Sequence, residues 1–463
     1  MPLQRATCLS EIATTCTPEP LDGQQLEAFF VETDEARDEK THLRKRLAHI
    51  FSQTDRTRRV LLYGHRGCGK STELNCFKRS LDAKWLVVDF SIQKYLPPVG
   101  LKAEDILLAI AVAIVDKLAD PDAPAGEERP KIQLADKYLE RVVDFFSEVT
   151  EYKKEHRDSK LGAAAEVGAG GGLWAQILPL KAKLSTELTF GSRTEKSGVS
   201  RIRQRPGDLI AAVNGLLQAV DDALGAHGRR LLLIVENLDK IQLAEANDIF
   251  VHNHLLLSKL VANIIYTIPI FTFYTPDREV IQAAFDAHLH LQMIKPFSRS
   301  GEKADGYAKI EEIILKRVDR SVIDPDALAL LIRGTGGVLR HVFEALQEVS
   351  SYANLRDGRI HKKNIRDALN SLRINIGTAI GWPLEKDGSQ KKPDDLYETL
   401  AQAAKVQTEG GTYQPKNDQA VHILLRSGAL IEYNGERWLG VHPLAWEYLR
   451  RLGYPVGDNP YGI

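Results

Sequence analysis

The stretch Gly64-His65-Arg66-Gly67-Cys68-Gly69-Lys70-Ser71-Thr72 constrains this chain more than any other. It reads G-x-x-x-x-G-K-S. An apolar run, Val60-Leu61-Leu62-Tyr63, precedes it, and Thr72 to Arg79 can continue as a helix. Strand, glycine-rich turn and helix in that order make a phosphate cradle. The glycines let the backbone wrap an anion with its N–H groups pointing inward, at the positive end of a helix. Lys70 places a point charge at the β- and γ-phosphates, and the Ser71 hydroxyl faces a Mg²⁺ ion. The whole segment from Gly64 to Thr72 is therefore the candidate site for ATP.

The second half of such a site is an apolar strand that ends in acid. Leu231-Leu232-Leu233-Ile234-Val235 runs into Glu236-Asn237-Leu238-Asp239-Lys240. A central parallel strand delivers a carboxylate in this way to a phosphate-bound metal. Glu236 is the metal-side acid, and Asp239 is placed to orient water or hold Asn237. Ile264 to Thr275 reads as the next strand, with Thr272 and Thr275 at its end as candidates to sense the γ-phosphate. Arg278 follows as a candidate for contact with a nucleotide on a neighbouring subunit.

Upstream, Leu26 to Val31 leads into a charged helical stretch from Glu35 to Phe51. Phe30 and Val31 are candidates to close over an adenine base, with packing against the sheet as the competing role. Trp85 to Phe90 reads as a strand, and Ala103 to Leu118 as a buried helix. Alternating strands and helices predict a parallel sheet with helices on both faces. The pattern breaks between residues 121 and 205, which read as an insertion built from a long charged helix and a β-ribbon. Arg201, Arg203 and Arg205 cluster at its end, before a helix from Asp208 to Leu224.

Beyond Pro296 the chain turns helical, with amphipathic stretches at Tyr307–Val318, Pro325–Ile332, a segment opened by Gly334-Thr335-Gly336-Gly337, and His361–Leu372. The glycines permit a tight turn that would bring Arg340 to the γ-phosphate. A linker follows, and then helices at 394–406 and 419–430, a hairpin signalled by Asn434-Gly435, and a closing helix from Pro443. Helices followed by a hairpin predict a winged helix. From residue 394 onward the chain carries nine acids against six Lys and Arg. That balance opposes a phosphate-binding surface and favours protein interaction over DNA.

The expected organisation is an N-terminal segment (1–35), an ATPase domain (36–120 and 206–298), the insertion (121–205), a helical lid (299–380), a linker (381–393) and a winged-helix domain (394–463). A net charge of −1 over 463 residues gives no support for a general nucleic-acid or membrane partner. Four cysteines without disulfide or metal-ligand spacing fit a cytoplasmic protein, and the longest clean apolar run, Ile106 to Val115, is too short to span a bilayer.

Together the phosphate loop running into Ser71-Thr72-Glu73-Leu74-Asn75, the Leu231–Lys240 strand, the Gly336-Gly337-Val338-Leu339-Arg340 helix and the C-terminal winged helix resemble AAA+ ATPases. More narrowly they resemble the branch shared by origin-recognition ATPases and bacterial signal-transducing STAND NTPases. The resemblance covers about residues 25 to 455, apart from the insertion. It implies a P-loop NTPase sheet sandwiched by helices, a helical lid, a winged helix and ATP-controlled self-assembly. Lys70 and Ser71 match the phosphate and Mg²⁺ contacts, Glu236 the metal-side acid and Arg340 the second sensor. Glu236 stands where the family usually has Asp, and Asn237 where many members carry a catalytic acid. An amide cannot act as a general base, which favours a slow, switch-like ATPase. No residue is identifiable as an arginine finger. The reading is an ATP-dependent switch that controls homo-oligomer assembly or a protein effector partner, in a stress or antiphage pathway. The alternative is a DNA-binding initiator of the origin-recognition type.

Overall fold

The central strands form because their residues are β-branched or leucine-rich and apolar on both faces, which only a doubly covered parallel sheet can bury. In a computed structural model of the chain, β1 (Arg59–Tyr63), β2 (Trp85–Ser91), β3 (Arg230–Glu236), β4 (Asn263–Ile268) and β5 (Ala287–His290) pair in the order β2-β3-β4-β1-β5, all parallel. The structure describes residues 3–37, 42–53, 56–96, 99–119, 206–351, 358–381, 393–414, 419–433 and 438–462. The predicted insertion at 121–205 lies outside them, and so do Arg201, Arg203 and Arg205.

Alternation along the strands divides the sheet's two faces. Leu61, Leu233, Val235, Ile264 and Tyr266 point into one core, under α5 (Ala103–Ala119) and α6 (Pro206–Gly225). Val60, Leu62, Leu232, Ile234 and Ile265 point into the other, with α3 (Leu43–Ser52) and α4 (Lys70–Ser80). Asn263 fixes the start of β4. Its amide donates to Leu231 O at 3.3 Å and its carbonyl accepts from Arg58 N–H at 3.1 Å. The expectation of a strand through Thr275 is corrected here. Pro269 has no N–H for the ladder, the strand stops at Ile268, and residues 270–274 form a 3₁₀ turn.

Four helices follow the sheet: α7 (Asp305–Arg317), α8 (Pro325–Thr335), α9 (Leu339–Ser351) and α10 (Lys362–Gly381). The N-terminal segment, with α1 (Leu9–Thr15) and α2 (Gly23–Phe29), is laced into this helical unit. Ala6 pairs with Val318 as a parallel bridge, and α1 packs on α9. Arg317, 4 % exposed, donates to Thr15 O and Thr17 O and lies 3.8 Å over the Phe343 ring. Burial pulls its pKa down to about 10.

A C-terminal unit contains α11 (Pro393–Thr408), α12 (Gln419–Ser427), an antiparallel pair β6 (Leu430–Glu432) and β7 (Leu439–Val441), and α13 (Pro443–Arg451). The Asn434-Gly435 turn expected between the strands falls outside the described residues. Among those residues no helix is long and apolar enough to cross a membrane.

Two glycines set the angle between α8 and α9. Gly336 ends α8 at φ +58°, and Gly337 follows at φ +89°. A Cβ on Gly337 would run into the Ile294 carbonyl and lie 2.9 Å from Pro296 Cδ. Gly337→Ala is therefore expected to cost on the order of 3 kcal/mol in denaturant unfolding. Gly358, at φ +70° but facing open space, supplies the control. Gly358→Ala should cost about 1 kcal/mol, from backbone strain alone.

Candidate nucleotide site

The phosphate loop leaves β1 at Tyr63 and enters α4 at Lys70. Gly67 (φ +83°) and Gly69 (φ +102°) occupy left-handed conformations that side chains with a Cβ rarely adopt, so the turn is tight. Lys70 is 6 % exposed. Its ammonium donates to Gly64 O at 2.9 Å and His65 O at 3.0 Å, and pairs with Asp239 at 2.8 Å. Burial is the largest influence and works against its charge, but Asp239, Cys68 and Glu236 together outweigh it and the pKa is raised. The loop and the turn after β3 are thus held together through one cation.

That turn depends on Asn237, whose φ of +66° is the one positive value at a non-glycine residue among those described. Asn tolerates this conformation, and the reversal swings Asp239 back towards Lys70. The Asn237 amide donates to Ser91 Oγ at 2.7 Å, at the end of β2. Glu236, also buried, accepts a hydrogen bond from the Ser71 hydroxyl. Burial raises the Glu236 pKa, and the Ser71 bond offsets part of the effect.

A hydroxyl and a carboxylate in contact at the mouth of the loop are hard oxygen donors that suit Mg²⁺. Among the described residues, no group of three or more His, Cys, Asp or Glu could cage a metal. A Mg²⁺ ion at Ser71 and Glu236 would complete its shell from phosphate oxygens and water, its usual habit.

The other expected residues are placed as follows. Cys68 is buried, and its carbonyl accepts from Arg37 Nη2 at 2.8 Å. The Thr72 hydroxyl accepts the Leu21 N–H at 3.2 Å, tying the N-terminal segment to α4. Phe30 ends α2 with Arg44 5.2 Å over its ring, while Val31 is buried in the main core. The Thr272 and Thr275 hydroxyls donate to the carbonyls of Pro269 (2.5 Å) and Thr272 (3.1 Å). Arg278 opens a short helix at the next turn. Arg340 is brought to the loop: a Cβ on Gly67 would lie 2.8 Å from Arg340 Cβ. The Arg340 Nε is buried and has no hydrogen-bond partner among the described residues.

Two features of the site are not evident from the sequence. Arg37, buried, braces the loop from behind through Cys68 O, Gln292 O and Thr33 Oγ1. Nothing marks it among neighbouring charges, because its partners are mostly backbone carbonyls far along the chain. The second is His65, 3 % exposed, whose Nε2 accepts the Glu432 N–H at 2.7 Å. The phosphate loop is thereby bonded to β6 of the C-terminal unit. Glu432 itself accepts from Tyr274 OH at 2.6 Å, and Tyr433 OH donates to Gly336 O at 2.8 Å. His341, beside Arg340, meets His442 at 3.0 Å.

The sheet order and the loop with its facing acid define a P-loop fold of the AAA+ type. Correspondingly, a family model described as an AAA ATPase domain matches residues 38–260. Among solved structures the chain is similar to a Walker-type ATPase of Pyrococcus abyssi (11% identity, 94% of this chain and 99% of that one, TM-score 0.43). It is also similar to the ORC1 protein of Aeropyrum pernix, solved in complex with DNA (13% identity, 96% and 97%, TM-score 0.39). A third is the RuvB Holliday junction branch migration motor of Thermotoga maritima (12% identity, 94% and 98%, TM-score 0.36). No curated protein matches significantly.

Proposed function

We propose that this chain is an ATP-binding, slowly hydrolysing switch whose helical unit is a lid and whose C-terminal unit is a winged helix. ATP on the phosphate loop sets the orientation of both units, and that orientation controls self-assembly or a protein effector. The observation that carries this reading is the double contact on the loop. Gly67 lies against Arg340 of the helical unit, and His65 accepts a hydrogen bond from Glu432 of the C-terminal unit. A phosphate entering the loop changes the charge beside both contacts, so its loss on hydrolysis can be felt by both units. Lys70, Ser71 and the loop N–H groups hold the phosphates, and Glu236 holds the metal side. Mg²⁺ supplies charge neutralisation at the β- and γ-oxygens. The Asn237 amide, bonded to Ser91 rather than available as a base, supports slow turnover.

The test is ATP turnover together with mass by light scattering, with ATP, ADP or no nucleotide. Wild type is expected to change assembly state with ATP. Glu236→Gln is expected to lose at least about tenfold in turnover while retaining the ATP-bound assembly. Arg340→Ala should bind ATP and fail to change state. An identical mass for wild type under all three conditions overturns the switch.

A further inference from the structure

Lys70 already holds an anion. An ammonium group has three hydrogens to give and no more. Two go to Gly64 O at 2.9 Å and His65 O at 3.0 Å, and the third goes to the Asp239 carboxylate at 2.8 Å. A phosphate oxygen arriving at the loop has to replace one of these three. The two carbonyls are built into the loop. A Cβ on Gly64 would run into the Leu291 carbonyl, so that residue has no room to shift. The His65 carbonyl also accepts the Cys68 N–H at 3.3 Å, and the His65 ring is tied to Glu432. Asp239 is held less firmly. It stands on a single 3₁₀ turn, Leu238–Lys240, and its side chain is 11 % exposed. Its carboxylate has no hydrogen-bond partner besides Lys70 among the described residues. It is also the one anion of the three, so it supplies the charge that a phosphate would bring.

We propose that Asp239 is a built-in competitor for phosphate: it fills the Lys70 ammonium before nucleotide binds, is expelled by the nucleotide's phosphates, and so sets how weakly nucleotide is held. This inference rests on the phosphate loop being a nucleotide site and names the residue that tunes it. The exchange is of one oxyanion for another, so the buried ammonium keeps an anionic partner throughout. Glu236 stays in place, because it faces the Ser71 hydroxyl on the metal side. The expelled carboxylate has a cation beside it. Lys240 is the next residue, its Nζ donates to Gln93 Oε1 at 3.2 Å, and Asp239 offsets part of the lowering that burial imposes on its pKa. A water-orienting acid, the role that position alone suggests for Asp239, would leave ADP affinity unchanged. A mere brace of the loop would lower affinity when removed. A competitor raises it.

The experiment is calorimetric titration of ADP with Mg²⁺ into the full chain, as wild type, Asp239→Asn and Asp239→Glu. ADP keeps hydrolysis out of the measurement. Asn retains an oxygen for the Lys70 ammonium and loses the charge. Asp239→Asn is therefore expected to bind ADP at least about tenfold tighter, the difference between displacing a neutral and a charge-assisted hydrogen bond. Asp239→Glu keeps the charge and should gain no affinity. An affinity for Asp239→Asn equal to or weaker than wild type overturns the proposal, as does an equal gain in Asp239→Glu. Thermal unfolding reads the same exchange. Asp239→Asn should melt below wild type without nucleotide, and saturating ADP with Mg²⁺ should close most of that gap, because phosphate then takes the place of Asp239. A variant that stays unfolded in millimolar ADP with Mg²⁺ also overturns the proposal. Wild type that binds no ADP at millimolar concentration removes the nucleotide site itself. Wild type that binds while Asp239→Asn gains nothing removes the competitor alone and leaves the switch standing.

Discussion

Lys70→Ala is expected to destabilise the nucleotide-free protein by about 3–5 kcal/mol, before any effect on ATP is considered. The usual view of this lysine is that it waits for phosphate. Here its ammonium is buried and satisfies Gly64 O, His65 O and Asp239 at once. Removing it strands a nearly buried carboxylate and two carbonyls, and an unpaired buried charge is among the costliest single defects. The effect should be visible as a lower urea midpoint with an unchanged slope. In Lys70→Met/Asp239→Asn both charges are gone and the volume is kept, so most of the loss should be recovered. If Lys70→Ala unfolds at the wild-type midpoint without nucleotide, the Lys70–Asp239 pair contributes nothing to the fold. Loss of ATP binding in Lys70→Ala therefore has to be measured below its own unfolding transition.

Acid is expected to loosen the C-terminal unit from the phosphate loop. Burial, then His290 and Lys70, hold the His65 pKa down to about 3, so the ring is neutral and its Nε2 can accept the Glu432 N–H. In the unfolded chain the same ring titrates near the ordinary value of about 6.5. The folded pKa is the lower one, so the unfolded state takes up protons first as pH falls. Stability from His65 is complete above about pH 6.5 and is lost progressively towards pH 3. At pH 5 the loss from this ring alone is about 2 kcal/mol. His341, held down to about 4 by burial and by Arg340 and Arg66, adds in the same direction. His65→Gln offers an amide oxygen that accepts the same N–H and does not titrate. Denaturation at pH 7.5 and pH 5.0 should show a drop for wild type that exceeds the drop for His65→Gln by about 2 kcal/mol. Equal drops would mean that His65 is not a buried neutral acceptor.

Much of this architecture could be read from the chain, and the reasons are local. β1 and β3 announce themselves because a central parallel strand must be apolar on both faces. Glycine spacing marks the phosphate loop because only glycine relaxes into its turns, and Gly336-Gly337 marks the entry to α9 in the same way. What sequence could not supply was long-range polar pairing. Asp239 reads as a water-orienting acid, yet it is the partner of Lys70. His65 reads as one more ATP-binding position of the loop, yet it bonds a backbone N–H 367 residues away. Arg37 is one of many charges near its position, and only the folded chain shows the carbonyls it gathers. Thr272 and Thr275 illustrate the opposite failure. Their β-branched pattern suggests strand, but the proline at 269 ends the ladder and both hydroxyls close a local turn.

The lacing of the N-terminal segment into the helical unit has a consequence for biosynthesis. Ala6 emerges from the ribosome about three hundred residues ahead of its partner Val318, and Thr15 waits as long for Arg317. Contacts of such separation form late, because the intervening loop must be closed first. The nascent chain therefore carries α1 as an unpaired tail while the sheet domain is translated, whereas the start of α2 can dock on α4 through Leu21, Thr72 and Asn75 as soon as α4 is made. The segment made early is among the last to be locked, and its docking marks completion of the helical unit. A chain released before Arg317 would expose the apolar face of α1 to quality control.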